Sequence, residues 1–183
     1  VLLGDVPLIT KDTLSACVDQ ASDNSICLVT ADVANPDGLG RIIRNAEGSI
    51  EKIVEQHDAS DDELRITEIN SGILAIPSEI LVDLLSQVTN DNAKKEYYLT
   101  DIVSLAKARG IEVIGMKADE ADEVSGINTR QQLSALERSH QRKQAQKLMA
   151  GGVAIADPER LDIRGKVTAG VDCFIDVSVI FEG

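Results

Sequence analysis

The apolar residues of this chain change their period once, at Gly151–Gly152. Before that point they form short β-branched runs that alternate with stretches at helical spacing. Beyond it they recur every six residues. Alternating strand and helix runs predict an α/β domain with a largely parallel sheet. A six-residue period of small or branched apolar residues predicts β-helix coils, with one flat face per hexapeptide. In Gly165–Gly183, Val167, Cys173 and Val179 keep that spacing, as do Val171 with Val177 and Ile175 with Phe181. An ordinary pair of strands is the alternative for so short a tract.

Local signals divide the first part. Val1–Leu3 reads as the end of a buried strand. A helix follows, with Thr10 as N-cap and Leu14, Cys17 and Val18 on one face. "SICLVTADV" is a strand, and "GRIIRNAEGSIEKIVEQ" is a hairpin turning at Asn45–Gly48. "DASDDEL" is a polar loop, and "NSGILAIP" is a strand stopped by Pro77. Ser78 opens a helix that presents Ile80, Leu81, Leu84 and Leu85. "LTDIVSLAKARG" is a second helix, with Gly110 at C′, and "IEVIGMKA" is a strand. The long helix after "GINT" ends at Gly151–Gly152, and its polar middle predicts a run through solvent, as in a helix joining two domains.

Composition limits the partners. Aromatic residues are only 2% of the chain, so the core is aliphatic. The net charge of -13 disfavours nucleic acid and anionic membranes, and a phosphorylated ligand would need backbone donors, a metal or a few placed cations. Cys17, Cys27 and Cys173 have no metal-site spacing and read as buried, inert thiols of a cytoplasmic protein. No stretch has the length of a membrane span or the form of a signal peptide. A start inside an apolar run, without Met, leads us to expect a portion of a longer protein.

Candidate chemistry lies where strands end. Gly4–Asp5 puts a carboxylate at the C-terminal end of the first run, where open α/β sheets bind ligands. Pro7 then forces an extended turn. Asp5 suits Mg²⁺, which takes one or two protein oxygens plus phosphate and water; capping of the next helix is the alternative. "DGLGR" is a tight loop offering backbone donors, with Arg41 a possible phosphate partner, or else a plain turn. Glu55 ends the hairpin and reads by itself as solvated. Asn70, in "TEINSG", can bond a sugar hydroxyl or close a turn. Asn128 stands at the start of the long helix, where N-capping is its simplest role. His57 and His140 read as surface residues, and Ser60–Glu63 as a solvated loop. No Ser/His/Asp or Cys/His constellation is present.

Taken in order, "LLGDVPLI", "NPDGLGRIIR", "IVEQHDAS", "EINSGILA", "NAKKEYYLTDIV" and "VSGINTRQQLSALER" resemble the bifunctional bacterial N-acetylglucosamine-1-phosphate uridyltransferase/glucosamine-1-phosphate N-acetyltransferase family. The resemblance covers essentially the whole chain. It implies a Rossmann-like nucleotidyltransferase domain lacking its N-terminal part (1–127), a linker helix (128–152) and the first coils of a left-handed parallel β-helix (153–183). It implies transfer of uridylyl from UTP to N-acetylglucosamine 1-phosphate, giving UDP-N-acetylglucosamine and pyrophosphate. Mg²⁺ would be held by Asp5 and Asn128, in which case capping by Asn128 yields or is shared. Leu3 and Gly4 would line the uridine-sugar site, although the family often carries an aromatic at the Leu3 position. Gly40, Glu55 and Asn70 would hold the N-acetylglucosamine, with Thr100 on the same pocket. The family's Gly-rich nucleotide loop and its acetyl-CoA site have no counterpart here, so this chain alone is expected not to turn over UTP. The resemblance also implies a homotrimer for the full-length protein. A transferase for another sugar 1-phosphate and a non-catalytic, trimer-forming chain are the alternatives.

Overall fold

Ser25–Asp32 form strand β1, whose residues point alternately into two cores. Ile26 and Leu28 enter one, and Cys27, Val29 and Ala31 enter the other. That is why "ICLVTA" shows no polar alternation: a strand buried on both faces has no solvent side. The computed structural model describes residues 1–183, in two units, Val1–Ser125 and Gly126–Gly183.

In the first unit, β1 is joined by β2 (Arg41–Arg44), β3 (Ile50–Val54), β4 (Glu68–Ala75) and β5 (Glu112–Lys117), in the order β3-β2-β4-β1-β5. Helix α1 (Lys11–Gln20) packs through Cys17 and Leu14 on one face. Helices α2 (Ser78–Leu85) and α3 (Ile102–Ala108) pack through Leu84, Ile102, Val103 and Ala106 on the other. The result is a three-layer α/β arrangement. Thr10 caps α1 by accepting from the Thr13 amide, and Gly110 follows α3 with φ +76°. The expected turn at Asn45–Gly48 closes the β2–β3 hairpin, with the Gly48 amide on the Asn45 carbonyl at 3.0 Å. Ser78 is the first residue of α2 and makes no cap hydrogen bond, and Val18 of α1 is exposed.

The sheet is not largely parallel. Only β1 and β5 run parallel, whereas β1–β4, β2–β3 and β2–β4 are antiparallel. A parallel neighbour needs a crossover, usually a helix, and between β1 and β4 the chain makes the β2–β3 hairpin and one 3-10 turn, Glu63–Arg65, but no α-helix. Val1–Leu3 is also not a buried strand; all three residues are exposed. Val1 alone pairs with β4, exchanging backbone hydrogen bonds with Leu74 at 2.7 and 3.3 Å.

The second unit begins with the long helix α4 (Arg130–Ala150), followed by four short strands: β6 (Ala154–Ile155), β7 (Asp162–Arg164), β8 (Phe174–Ile175) and β9 (Ile180–Glu182). They pair in parallel, β6 with β8 and β7 with β9. Asp162 lies opposite Ile180, eighteen positions on, and Ala154 lies opposite Phe174, twenty positions on. Leu161, Ile163 and Ile175 are buried, while Cys173, Val171 and Val177 are exposed. Cys173 is therefore a surface thiol, unlike the buried Cys17 and Cys27.

The polar middle of α4 does not run free through solvent. Arg138 donates to the carbonyls of Glu159 and Leu161 and pairs with Asp162 at 2.6 Å, and Arg142 pairs with Glu159. Buried Gln141 takes both backbone groups of Ile163: its Oε1 accepts from the amide at 2.7 Å, and its Nε2 donates to the carbonyl at 3.1 Å. Gln141→Ala would leave both groups buried without partners. We expect a loss of about 3 kcal/mol in urea unfolding followed by circular dichroism. A loss below about 1 kcal/mol would refute the pairing's importance.

Candidate active site

The site forms where the sheet is irregular. Between β1 and β4 the register slips: Leu28 faces Leu74, but Thr30 faces Asn70. The surplus residues of β4 bulge at Ser71–Gly72. Gly72 takes φ +77°, and a Cβ there would sit 2.5 Å from Leu3 Cδ1. Ser71 Oγ seals the bulge by donating to the Val29 carbonyl at 2.6 Å. Asn70 Oδ1 accepts from the Gly72 amide at 3.1 Å, so its amide nitrogen remains available as a donor. Asn70 thus closes a turn while offering a hydrogen bond outward, and bulges often re-aim a side chain in this way.

Leu3, Glu55, Asn70 and Thr100 line one cavity of about 240 Å³. Thr100 Oγ1 donates to Glu55 Oε1 at 2.9 Å, which fixes the carboxylate and leaves Oε2 open. Gly40 lies against the same group. A Cβ on it would stand 3.4 Å from both Glu55 oxygens and 2.9 Å from Ile53 Cγ2. The Asn70 amide in turn donates to the Gly40 carbonyl at 2.9 Å. Five residues singled out from the sequence therefore converge.

Gly4 and Asp5 occupy an exposed turn outside this cavity lining, and the Asp5 carboxylate has no hydrogen-bond or ion-pair partner. Asn128 lies in the second unit. It is not the N-cap: Thr129 caps α4 in a capping box with Gln132, leaving the Asn128 side chain unengaged. Arg41 is not available to a phosphate, because it has no exposed surface. Ser60 and Glu63 form a local cap rather than a plain solvated loop. Two Ser60 donors and Lys52 hold the Glu63 carboxyl down at about 2.

Sequence reasoning missed Gly72, Tyr97 and Tyr98, which also line the cavity. The signals were a glycine inside a strand pattern and the pairing of the only two tyrosines in a chain with 2% aromatics. Burial, together with Asp58, Glu96, Glu55 and Asp101, pushes the Tyr98 phenol up, keeping its proton for donation. No Lys or Arg lines the cavity. The first unit holds 24 acidic and 10 basic residues, so phosphate charge must be met by other means. No group of three or more His, Cys, Asp or Glu side chains converges anywhere. A larger groove of about 600 Å³, beside α1 and the end of β4, is lined by aliphatic residues and one thiol, Cys17. It lacks the convergent polar groups of a specific site.

No protein-family model matches the chain. Over all 183 residues it is 49% identical to the bifunctional protein GlmU of Idiomarina loihiensis, and 48% identical to those of Chromohalobacter salexigens and Azoarcus sp.. The resemblance drawn from six motifs therefore extends along the whole chain, which spans about 40% of the length of these relatives. A Bacillus anthracis structure assigned as a glucose-1-phosphate thymidylyltransferase, in complex with a sucrose, superposes with a TM-score of 0.46 at 17% identity, over 69% of this chain and 46% of that one. No helix is long and apolar enough to cross a membrane.

Asp101, next to Thr100, has its carboxyl raised by burial and then by Glu55 and Asp58. A raised carboxyl binds its proton more tightly in the folded chain, so its share of stability falls as pH rises through the folded value. Asp101→Asn should accordingly raise the melting temperature at pH 7. The gain should vanish below the ordinary aspartate value of about 4. A melting temperature unchanged at pH 7 would contradict this.

Proposed function

We propose that the protein, similar over every residue of this chain to bifunctional GlmU proteins, transfers uridylyl from UTP to N-acetylglucosamine 1-phosphate, and that the first unit holds the sugar. The supporting observation is the cavity itself: Glu55, Asn70 and Thr100 converge with Gly40 behind the carboxylate, and no cation is present. A neutral amino sugar needs acceptors for hydroxyls and a donor for an acetamido oxygen. Glu55 Oε2, the Asn70 amide nitrogen and the Tyr98 hydroxyl are groups of those kinds. Tyr97, 72% exposed, offers a ring face at the rim.

The phosphate monoester of the acceptor loses its second proton near pH 6, so at neutral pH it is a nucleophile without a general base. The remaining difficulty is charge. Asp5 fits an Mg²⁺ ligand because its carboxylate is exposed and uncommitted; Asn128, which the family resemblance also implies as a ligand, has an unengaged side-chain amide. Bound Mg²⁺ supplies neutralisation of phosphate oxygens, and it commonly takes only one or two protein groups. The side chains of the cavity hold the sugar so that its phosphate meets the α-phosphorus in line. The homotrimer is proposed for the full-length protein; in the second unit Val171 with Val177 and Phe174 with Ile180 stand exposed at six-residue spacing.

Saturation-transfer NMR with UDP-N-acetylglucosamine, Mg²⁺ and this chain tests the reading. Transfer to the N-acetyl methyl is expected, weaker by about tenfold in Asn70→Ala and Thr100→Val, each of which removes one hydrogen-bonding group. Absence of transfer in the wild type would overturn the sugar site. UDP-glucose binding equally well would move the proposal to another sugar 1-phosphate. Asp5→Ala should abolish the dependence of binding on Mg²⁺ while leaving the sugar contacts; an unaltered dependence would exclude Asp5 as its ligand.

A further inference from the structure

Arg41 is the one charged side chain with 0% exposure, and it pairs with no carboxylate. Its Nη1 donates to the Leu39 carbonyl two residues back, its Nη2 to Gln56 Oε1 at 3.2 Å, and its Nε has no partner. Stability does not account for this arrangement. A buried guanidinium with neutral partners and an orphan donor is costly, and an apolar side chain of similar length is often the more stable occupant.

The partners point elsewhere. Gln56 Oε1 also accepts from the Gly38 amide, so Arg41 and Gln56 together clip the loop at both Gly38 and Leu39. The next residue is Gly40, whose carbonyl receives the Asn70 amide and on which a Cβ would stand 3.4 Å from both Glu55 carboxylate oxygens. Gln56 itself follows Glu55 in the chain. A slip of the loop by a few tenths of an ångström would therefore reach both Glu55 and Asn70.

We propose that Arg41 is a positioning residue of the sugar site, acting through Leu39 and Gln56 to hold Gly40 against Glu55. The proposal rests on the reading of the cavity as an N-acetylglucosamine site.

The test compares the wild-type chain with Arg41→Met, Arg41→Lys and Gln56→Leu by melting temperature, amide hydrogen exchange, and affinity for UDP-N-acetylglucosamine and for UDP. Arg41→Met should melt no lower than the wild type. Its Gly38–Gly40 amides should exchange about tenfold faster while those of β1 and β5 stay unchanged, reflecting local rather than global opening. Affinity for UDP-N-acetylglucosamine should fall about tenfold, and affinity for UDP should hold, since only sugar contacts are disturbed. Gln56→Leu should reproduce the affinity loss, and Arg41→Lys should lie between. A lower melting temperature with unaltered loop exchange and unaltered affinity would make Arg41 purely structural and overturn the proposal. Absence of wild-type binding would remove the site that Arg41 is proposed to serve, and the exchange measurement would still report whether Arg41 fixes the loop.

Discussion

Strand β1 can accept no polar side chain on either face over most of its length, and the rest of the first unit follows from that constraint. Two apolar layers must cover it, one supplied by α1 and one by α2 and α3. Thr30, like Ser25 at the start of the strand, is an exception. It is fully buried, and its hydroxyl donates to Glu68, which Arg44 grips through two further hydrogen bonds. That anchor and the Leu28–Leu74 pair lie on either side of the β4 bulge. The bulge is thus trapped between two fixed points, and it cannot migrate along the strand without breaking one of them.

This trapping fixes where Asn70 leaves β4 beside the cavity. Asn70 projects from the bulge, Glu55 from the end of β3, and Thr100 from the turn that begins α3. Three separate elements meet because the hairpin β2–β3 docks on β4 at Arg41–Ile69, immediately beside Asn70. Hydrogen bonds among the site residues tie these elements together, Thr100 to Glu55 and Asn70 to Gly40. Most of the alignment is carried by backbone register.

Much of the fold was legible from local chemistry. Thr10, Gly110 and the Gly151–Gly152 pair end their helices as their cap preferences dictate, and the Asn45–Gly48 turn closes its hairpin. Strand direction was not legible, because apolar runs look alike whichever way they pair; the hairpin between β1 and β4 was the clue to antiparallel pairing. Val1–Leu3 has the composition of a buried strand but only one residue's worth of partner. In the site, Glu55, Asn70 and Gly40 stood out through motif resemblance, and spacing alone left each with an ordinary role. The Arg41 clip could not be seen, since whether an arginine is buried depends on residues fifteen positions away. The capping residue of α4 was misassigned by one position because Asn and Thr are both good caps, and the Gln132 partner decides between them.

Gln141 has a consequence for the second unit. In a parallel ladder each residue turns its two backbone groups to one side, and neighbours alternate. Asp162 and Gly183 take part in bonds between β7 and β9, while Ile163 faces the other way, where the Gln141 amide receives it. A side-chain amide has the same donor and acceptor as a peptide group, so Gln141 impersonates one residue of a strand that is not there. The ladder is therefore closed to a foreign strand at Ile163, on the side that faces α4.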